Sequence, residues 1–235
     1  MAKDKETLPS PASQNEVDEF LRKVVATPAP RPAEGRGRLI FAMDATASRE
    51  PTWNHACQIQ GEMFEATAAL GGLEIQLVYY RGFGECRHSR WLSDSRALVR
   101  SMTGVRCLGG HTQIRKVLEH AIAETKRKKV AALVFVGDCM EEDADQLCHL
   151  AGELSLLNVP VFIFHEGNEP VAARTFRQIA RLTQGAYCGF DARSADQLRA
   201  LLSAVAVYAA GGRRALEDYG KRAGGNVLRI ARQVK

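Results

Sequence analysis

The sequence has no apolar stretch of the roughly 18–20 residues that a helix needs to cross a bilayer. Its first residues, MAKDKETLPSPASQNEVDEF, also lack the apolar segment of a secretory signal. We therefore expect a cytoplasmic chain. Hydrophobic residues make up 46% and charged residues 25% of the 235 positions, which are ordinary values for a globular protein with one substantial core.

The six cysteines form no C-x-x-C pair, and their spacing matches no structural zinc pattern. In a chain without an export signal, free thiols are the expected state. The one zinc alternative is a site built from four residues that flank predicted loops, namely Cys86, His88, Cys107 and His111.

Several catalytic and nucleotide-binding motifs are absent. The sequence has no G-x-S-x-G, no G-x-x-x-x-G-K-[ST], and no G-x-G-x-x-G at the start of its first helix. Serine hydrolysis, nucleotide hydrolysis and dinucleotide binding therefore have no motif support.

The formal charge of +5 comes from the end of the chain. The last fifteen residues carry five basic side chains and no acidic one, Lys221, Arg222, Arg229, Arg232 and Lys235. Nucleic-acid binding through this tail is an alternative function, but no recognition motif or interleaved aromatic residues accompany it.

Composition divides the chain into three parts. Residues 1–36 are polar and rich in Pro, Ala and Ser, which predicts a flexible N-terminal arm and linker. A short amphipathic helix interrupts this arm if five apolar residues share one face, Val17, Phe20, Leu21, Val24 and Val25. Residues 37–212 form the predicted domain, and 213–235 form the basic C-terminal tail.

Within the domain, buried strands alternate with helices. Apolar runs predict strands at 38–43, 73–80, 130–136, 159–164 and 186–190, and RWLS at 90–93 is a candidate edge strand. Helical patterns cover about 51–70, 94–105, 112–128, 143–157, 170–184 and 194–210. This alternation predicts an α/β fold with a doubly wound, mostly parallel sheet covered by helices on both faces.

Oxygen-bearing side chains cluster at three strand-to-helix junctions. The first strand leads into D-x-T-x-S, with Asp44, Thr46 and Ser48; Thr112 begins a helix after two glycines; Asp138 follows the strand VAALVFV. With the first and fourth strands central, these loops are expected to be neighbours at the carboxyl edge of the sheet. Carboxylate and hydroxyl oxygens without thiolate or imidazole suit Mg²⁺ or Mn²⁺.

This order of residues resembles the metal-ion-dependent adhesion site (MIDAS) of von Willebrand factor A (VWA) domains, over about residues 37–210. The resemblance implies a Rossmann-like fold, with Thr46, Ser48 and Thr112 contacting the metal directly and Asp44 and Asp138 acting through water. Thr46 stands where the family more often has Ser, and Cys139 follows Asp138 where Gly is more common.

The resemblance also implies a function. The chain is expected to be a binding module and not an enzyme, with an acidic residue of a partner protein completing the metal's coordination. Cytoplasmic bacterial relatives of this kind resemble adaptors for AAA+ ATPases or chaperone-type machines, which makes such a machine the expected partner.

A metal-dependent phosphoryl hydrolase is the enzymatic alternative. Asp44 at the end of the first strand is similar to the nucleophile of haloacid dehalogenase-like phosphatases, whose pattern is D-x-D-x-[TV]. Here Thr46 replaces the second acid, which removes the general acid for the leaving group.

Overall fold

The computed structural model describes residues 19–20, 22–24, 36–59, 61–67, 72–190 and 195–223. Six strands form one sheet: β1 (Gly37–Asp44), β2 (Leu73–Arg81), β3 (Glu85–His88), β4 (Ala132–Gly137), β5 (Val161–Glu166) and β6 (Ala186–Phe190). The helices are α1 (Glu50–Ile59), α2 (Gly61–Thr67), α3 (Ser95–Thr103), α4 (Ile114–Arg127), α5 (Ala144–Leu156), α6 (Pro170–Leu182) and α7 (Ala195–Ala223). A short 3-10 turn, Ala47–Arg49, joins β1 to α1.

The sheet has the strand order β3-β2-β1-β4-β5-β6, and every pairing is parallel except that of β2 with β3. The predicted fold class is therefore confirmed, with β1 and β4 side by side at the centre. Because the strand order reverses direction at this pair, the loops that follow β1 and β4 meet at the carboxyl edge of the sheet.

Each face of the sheet is covered by its own apolar core. Along β1, Leu39, Phe41 and Met43 pack on the side of α1, α2, α3 and α7, while Ile40 and Ala42 pack on the side of α4, α5 and α6. Strands buried on both faces explain why β1, β4 and β5 are continuous apolar runs in the sequence.

The edge strand of the sheet differs from the sequence-based expectation. The edge strand is Glu85–His88, whereas Leu92 of the predicted strand RWLS forms only an isolated bridge with Ile75. Of the helix predicted over 51–70, the described parts are α1 and α2, and Gln60 between them and residues 68–70 lie outside the described residues.

The last helix continues well beyond its predicted end at 210. Gly212 adopts a left-handed φ of 67°, which kinks α7, and the helix then runs to Ala223. Leu216 is 1% exposed and packs in the core, so the first part of the predicted basic tail belongs to the folded body.

Part of the predicted N-terminal arm also packs in the core. Residues 19–20 and 22–24 are helical, and Phe20 and Val24 are both fully buried. The Phe20 ring lies edge-on to Phe164 and Phe162, at centroid distances of 5.2 and 6.3 Å. Val17, Leu21 and Val25, the other residues of the predicted amphipathic face, lie outside the described residues.

None of the helices in the described part of the chain is long and apolar enough to cross a membrane.

Candidate metal centre

The loops after β1 and β4 bring four of the five predicted site residues together. Met43 pairs with Val136 in the parallel ladder, so Asp44 and Asp138 follow the paired strand ends by one and two residues. The chain turns sharply after Asp44, whose Oδ1 accepts a hydrogen bond of 2.7 Å from the backbone N–H of Thr46. This turn directs the hydroxyls of Thr46 and Ser48 to one side.

The two hydroxyls and the second carboxylate form a continuous chain of contacts. The Oγ1 of Thr46 and the Oγ of Ser48 are 3.3 Å apart, and Ser48 Oγ donates to Asp138 Oδ2 at 3.0 Å. Residues that are far apart in the sequence thus share one small polar site at the carboxyl edge of the central strands.

Thr112 reaches the same edge of the sheet, and its contacts run to the loop after β4. Its backbone N–H donates to Glu141 Oε2 at 3.0 Å, and its Oγ1 accepts from the backbone N–H of Glu141 at 3.1 Å. Its own loop is tied to the end of β1 by a 3.0 Å hydrogen bond from Leu108 N–H to the Ala45 carbonyl. In the described part of the chain, Thr112 forms no hydrogen bond with the other four predicted site residues.

The acidic residues that follow Asp138 cap two helices. Glu142 accepts hydrogen bonds from the backbone N–H groups of Ile114 and Arg115, at 2.5 and 2.9 Å. With Glu141 on Thr112, these carboxylates cap α4, whose first N–H groups have no partner within the helix. Asp143 caps α5, the helix that follows it in the sequence, by accepting from Gln146 N–H.

Two buried carboxylate oxygens have no hydrogen-bond partner among the described residues. They are Asp44 Oδ2 and Asp138 Oδ1, one on each of the two central loops. Asp44 is 1% exposed, and this burial raises the pKa of its carboxyl to about 6. The charge of Asp138 acts in the same direction, and the hydrogen bonding of Thr46 and the nearby Tyr80 hydroxyl acts against it. An unpaired carboxylate oxygen removed from water is costly, so these two oxygens are suited to a cation or to ordered water.

Arg49 and Glu166 also belong to this site, and neither is among the five predicted site residues. Arg49 is 8% exposed, and its Nε lies 3.1 Å from Asp138 Oδ2 and 3.5 Å from Ser48 Oγ. Its guanidinium forms an ion pair with Glu166, which also accepts a hydrogen bond from Thr52. Their positions in the sequence are the signals that could have identified them, since Arg49 directly follows D-x-T-x-S and Glu166 lies two residues after the predicted strand 159–164.

His165 holds the loop after β4 in place from the neighbouring strand. It is fully buried, with Nε2 2.9 Å from the Asp138 carbonyl and Nδ1 2.8 Å from the Tyr187 hydroxyl. Burial lowers the pKa of its imidazole. A neutral ring that bonds Asp138 from its backbone side is a positioning group for that residue.

The residues of the zinc alternative are not grouped in the structure. Among the described residues, no three His, Cys, Asp or Glu side chains are arranged to hold a metal, and all six cysteines are free thiols. A MIDAS-type site depends on hydroxyl ligands, which such a grouping does not include.

No protein-family model matches the sequence, and no curated protein matches it in sequence. The fold, however, is similar to solved structures. The VWA domain of SpRpn10 has a TM-score of 0.56 at 12% identity, covering 69% of this chain and 94% of that one. Proximal thread matrix protein 1 from the mussel byssus, solved with a zinc-occupied MIDAS motif, has a TM-score of 0.56 at 14% identity.

The human COPII-coat protein Sec24c is a further similar structure, with a TM-score of 0.53 at 11% identity. This chain covers 46% of the mussel protein and 33% of Sec24c, so it spans less than half of either. The predicted VWA-like fold is confirmed by these likenesses. At such low identities they establish the fold and not the function.

Proposed function

We propose that the chain binds a partner protein through a divalent metal ion, Mg²⁺ or Mn²⁺, at the loops after β1 and β4. Thr46, Ser48 and Thr112 would hold the metal directly, and Asp44 and Asp138 would act largely through water. The observation that carries this proposal is the pair of buried, unbonded carboxylate oxygens, Asp44 Oδ2 and Asp138 Oδ1, beside two neighbouring hydroxyls.

The donor set fits a hard cation. Carboxylate, hydroxyl and water oxygens are the ligands that Mg²⁺ and Mn²⁺ accept, and a site with few charged ligands leaves a position open. A carboxylate from a partner would fill that position and neutralise part of the remaining charge. When bound, the metal would supply the charge that links the two carboxylates of the domain to that of the partner.

The surface around Thr112 supports docking at this edge. The loop between β2 and β3 presents Phe83, which is 84% exposed, and its ring lies 5.1 Å from that of His111 in an edge-on contact. Leu108 is 46% exposed on the neighbouring loop. Exposed apolar side chains on loops held by a rigid scaffold are common at protein interaction sites.

Binding accounts for the site better than catalysis does. In a haloacid dehalogenase-like phosphatase the second acid of the motif protonates the leaving group, and here that position is Thr46, whose hydroxyl is hydrogen-bonded to Ser48.

We further propose, by analogy with adaptors of AAA+ ATPases or chaperone-type machines, that the domain acts as a cytoplasmic adaptor. Fractionation of the native cells tests the location.

Calorimetric titration of Mg²⁺ and Mn²⁺ into chelator-stripped protein tests the metal site. The wild type is expected to bind about one ion per chain, and a double variant, Asp44→Asn with Asp138→Asn, is expected to bind none. Asp145→Asn, on the exposed side of α5, is the matched control and should bind as the wild type does.

The partner is tested by affinity capture with the wild type and the same double variant. Captured proteins that disappear both in chelator and with the variant would support a metal-dependent interface. Capture that withstands chelator and the double substitution would contradict the proposal, even if the chain binds metal in isolation.

A further inference from the structure

We infer that Arg49 is a built-in cation that holds Asp138 in the absence of metal and thereby weakens metal binding until a partner's carboxylate completes the site. The inference rests on the proposed function and concerns how that site is regulated. It comes from the position of the Arg49 side chain, because the five predicted metal-site residues do not include an arginine.

Arg49 competes for the carboxylate that a metal would use. Asp138 Oδ2 accepts the Ser48 hydroxyl at 3.0 Å and lies 3.1 Å from Arg49 Nε, so a full positive charge already stands beside two predicted metal-site residues. A guanidinium is always protonated, and this one is 8% exposed, so water screens its charge only partly. A divalent ion entering the site would meet this charge at short range.

Glu166 gives Arg49 a second carboxylate to hold. The guanidinium pairs with Glu166 at the same time as with Asp138, and Thr52 of α1 donates to the same carboxylate oxygen of Glu166. Arg49 can therefore release Asp138 without leaving a buried charge unpaired, which would otherwise be strongly unfavourable. This second anchor makes it possible for the metal to displace Arg49 from Asp138.

The charges around the site are consistent with this role. Asp44, Asp138 and Glu166 carry three negative charges when ionised, and Arg49 carries one positive charge, which leaves two negative charges for one divalent ion. Two net negative charges attract a divalent ion less strongly than the three that remain without Arg49, so Arg49 lowers the affinity for the metal. The added negative charge of a partner's carboxylate would then favour retention of the metal.

Titration of Mn²⁺ into chelator-stripped Arg49→Gln protein tests the inference. Its dissociation constant is expected to be lower than that of the wild type by about tenfold or more. In the absence of metal, the melting temperature of the variant is expected to fall, because Asp138 and Glu166 lose their cation. Arg87→Gln removes an exposed charge on β3 and should leave both values unchanged.

A double-mutant cycle with Glu166→Gln tests whether Glu166 acts on metal binding through Arg49 or only through its own charge. Glu166→Gln alone is expected to weaken Mn²⁺ binding, because Arg49 then has Asp138 as its remaining carboxylate in this cluster. In the Arg49→Gln background the same change should have a smaller effect. Equal weakening in both backgrounds would overturn the role of Glu166 as the second anchor.

The outcomes distinguish this inference from the proposed function. Binding by both proteins with equal affinity, or weaker binding by Arg49→Gln, would overturn the inference and leave the metal site in place. Binding by the variant alone would support the inference and show that Arg49 replaces the metal in the native chain. If neither the wild type nor Arg49→Gln binds Mn²⁺, both the inference and the proposed metal site are overturned. If Arg49→Gln does not fold, Arg49→Met, which keeps the apolar part of the side chain without the charge, replaces it in the titration.

Discussion

At the scale of single residues, the candidate site contains a buried carboxylate that lowers the stability of the metal-free fold. Asp44 is buried at the end of a central strand, with one oxygen bonded to Thr46 N–H and the other unbonded. Buried polar groups that lack partners are rare in native proteins, and where they occur they often serve function. The free energy of unfolding of the metal-free protein should therefore show how much the Asp44 carboxylate destabilises the fold.

Asp44→Asn is expected to stabilise the metal-free protein at neutral pH while removing metal binding. Burial raises the pKa of Asp44 from 3.8 to about 6, so its ionised form is disfavoured in the folded state. A shift of this size corresponds to at most about 3 kcal/mol, and the unpaired amide of Asn would reduce the gain to about 1–2 kcal/mol. Urea denaturation in chelator at pH 7.5 (about one to two units above the folded pKa) measures the difference.

The pH dependence of this difference gives a second check. Because the folded-state pKa is the higher one, the contribution of Asp44 is neutral below about pH 4 and becomes destabilising as the pH rises through about 6. The gain from Asp44→Asn should follow the same course and level off above pH 7. A gain that is constant from pH 4 to 7.5 would mean that ionisation of Asp44 is not its source, and Asp145→Asn provides the baseline.

At the scale of elements, two loops that flank the site are packed against each other through their backbones. His111 N–H donates to the Gly82 carbonyl at 3.1 Å, which joins the loop before α4 to the turn between β2 and β3. A Cβ built on Gly110 would lie 2.0 Å from that same carbonyl oxygen, whereas one built on Gly109 meets nothing within 4 Å. The close approach therefore requires glycine at 110 and not at 109.

Gly110→Ala is expected to destabilise the protein by about 1–3 kcal/mol, because a backbone neighbour cannot move aside as a flexible side chain can. Separating the loops also displaces Thr112, so the affinity for Mn²⁺ should fall. Gly109→Ala is the matched control and should change the free energy of unfolding by less than about 0.5 kcal/mol. Equal urea midpoints for the two variants would contradict the backbone contact.

The elements also show what could be predicted from the sequence. Strands β1, β4 and β5 are apolar runs bounded by polar residues, and the topology rule for doubly wound sheets places β1 next to β4. Asp44 and Asp138 could therefore be assigned to one edge. The ion pairs of Arg49 could not, because they depend on how side chains from β1, β4 and β5 pack, and periodicity carries no information about that.

Tertiary contacts also overrode local sequence signals at two elements. Glu85–His88 has no apolar alternation, and it forms a strand because it pairs antiparallel with the edge of β2. Gly211 and Gly212 are typical of a helix end, but α7 continues after its kink because Leu216 is buried in the core. Only the folded environment specifies these outcomes.

At the scale of the whole molecule, the segment before the linker contributes to the core on the face of the sheet covered by α7. Phe20 contacts the rings of Phe162 and Phe164, and Phe162 in turn lies 5.6 Å from the ring of Tyr208 on α7. Composition alone assigns this segment to a flexible arm, because the residues around it are polar and rich in Pro. Its burial makes it part of the domain.

Phe20→Ala is therefore expected to destabilise the protein by about 3–5 kcal/mol, the usual cost of removing a buried aromatic ring. Removal of residues 1–35 should destabilise the protein at least as much, because it uncovers the rings of Phe162 and Phe164 together. Urea denaturation followed by circular dichroism measures both. Lys23→Ala, which removes an exposed ion pair with Glu19, should leave the midpoint nearly unchanged.

Phe20→Ala is expected to lower stability without affecting metal binding. Phe20 packs in the apolar core and is not part of the polar cluster around Asp44 and Asp138. In native buffer, where the variant remains folded, Phe20→Ala should bind Mn²⁺ with the affinity of the wild type. A truncated chain with the same urea midpoint as the full chain would show that the segment is a detachable arm. Loss of metal binding by a folded Phe20→Ala protein would instead mean that this face of the sheet positions the site.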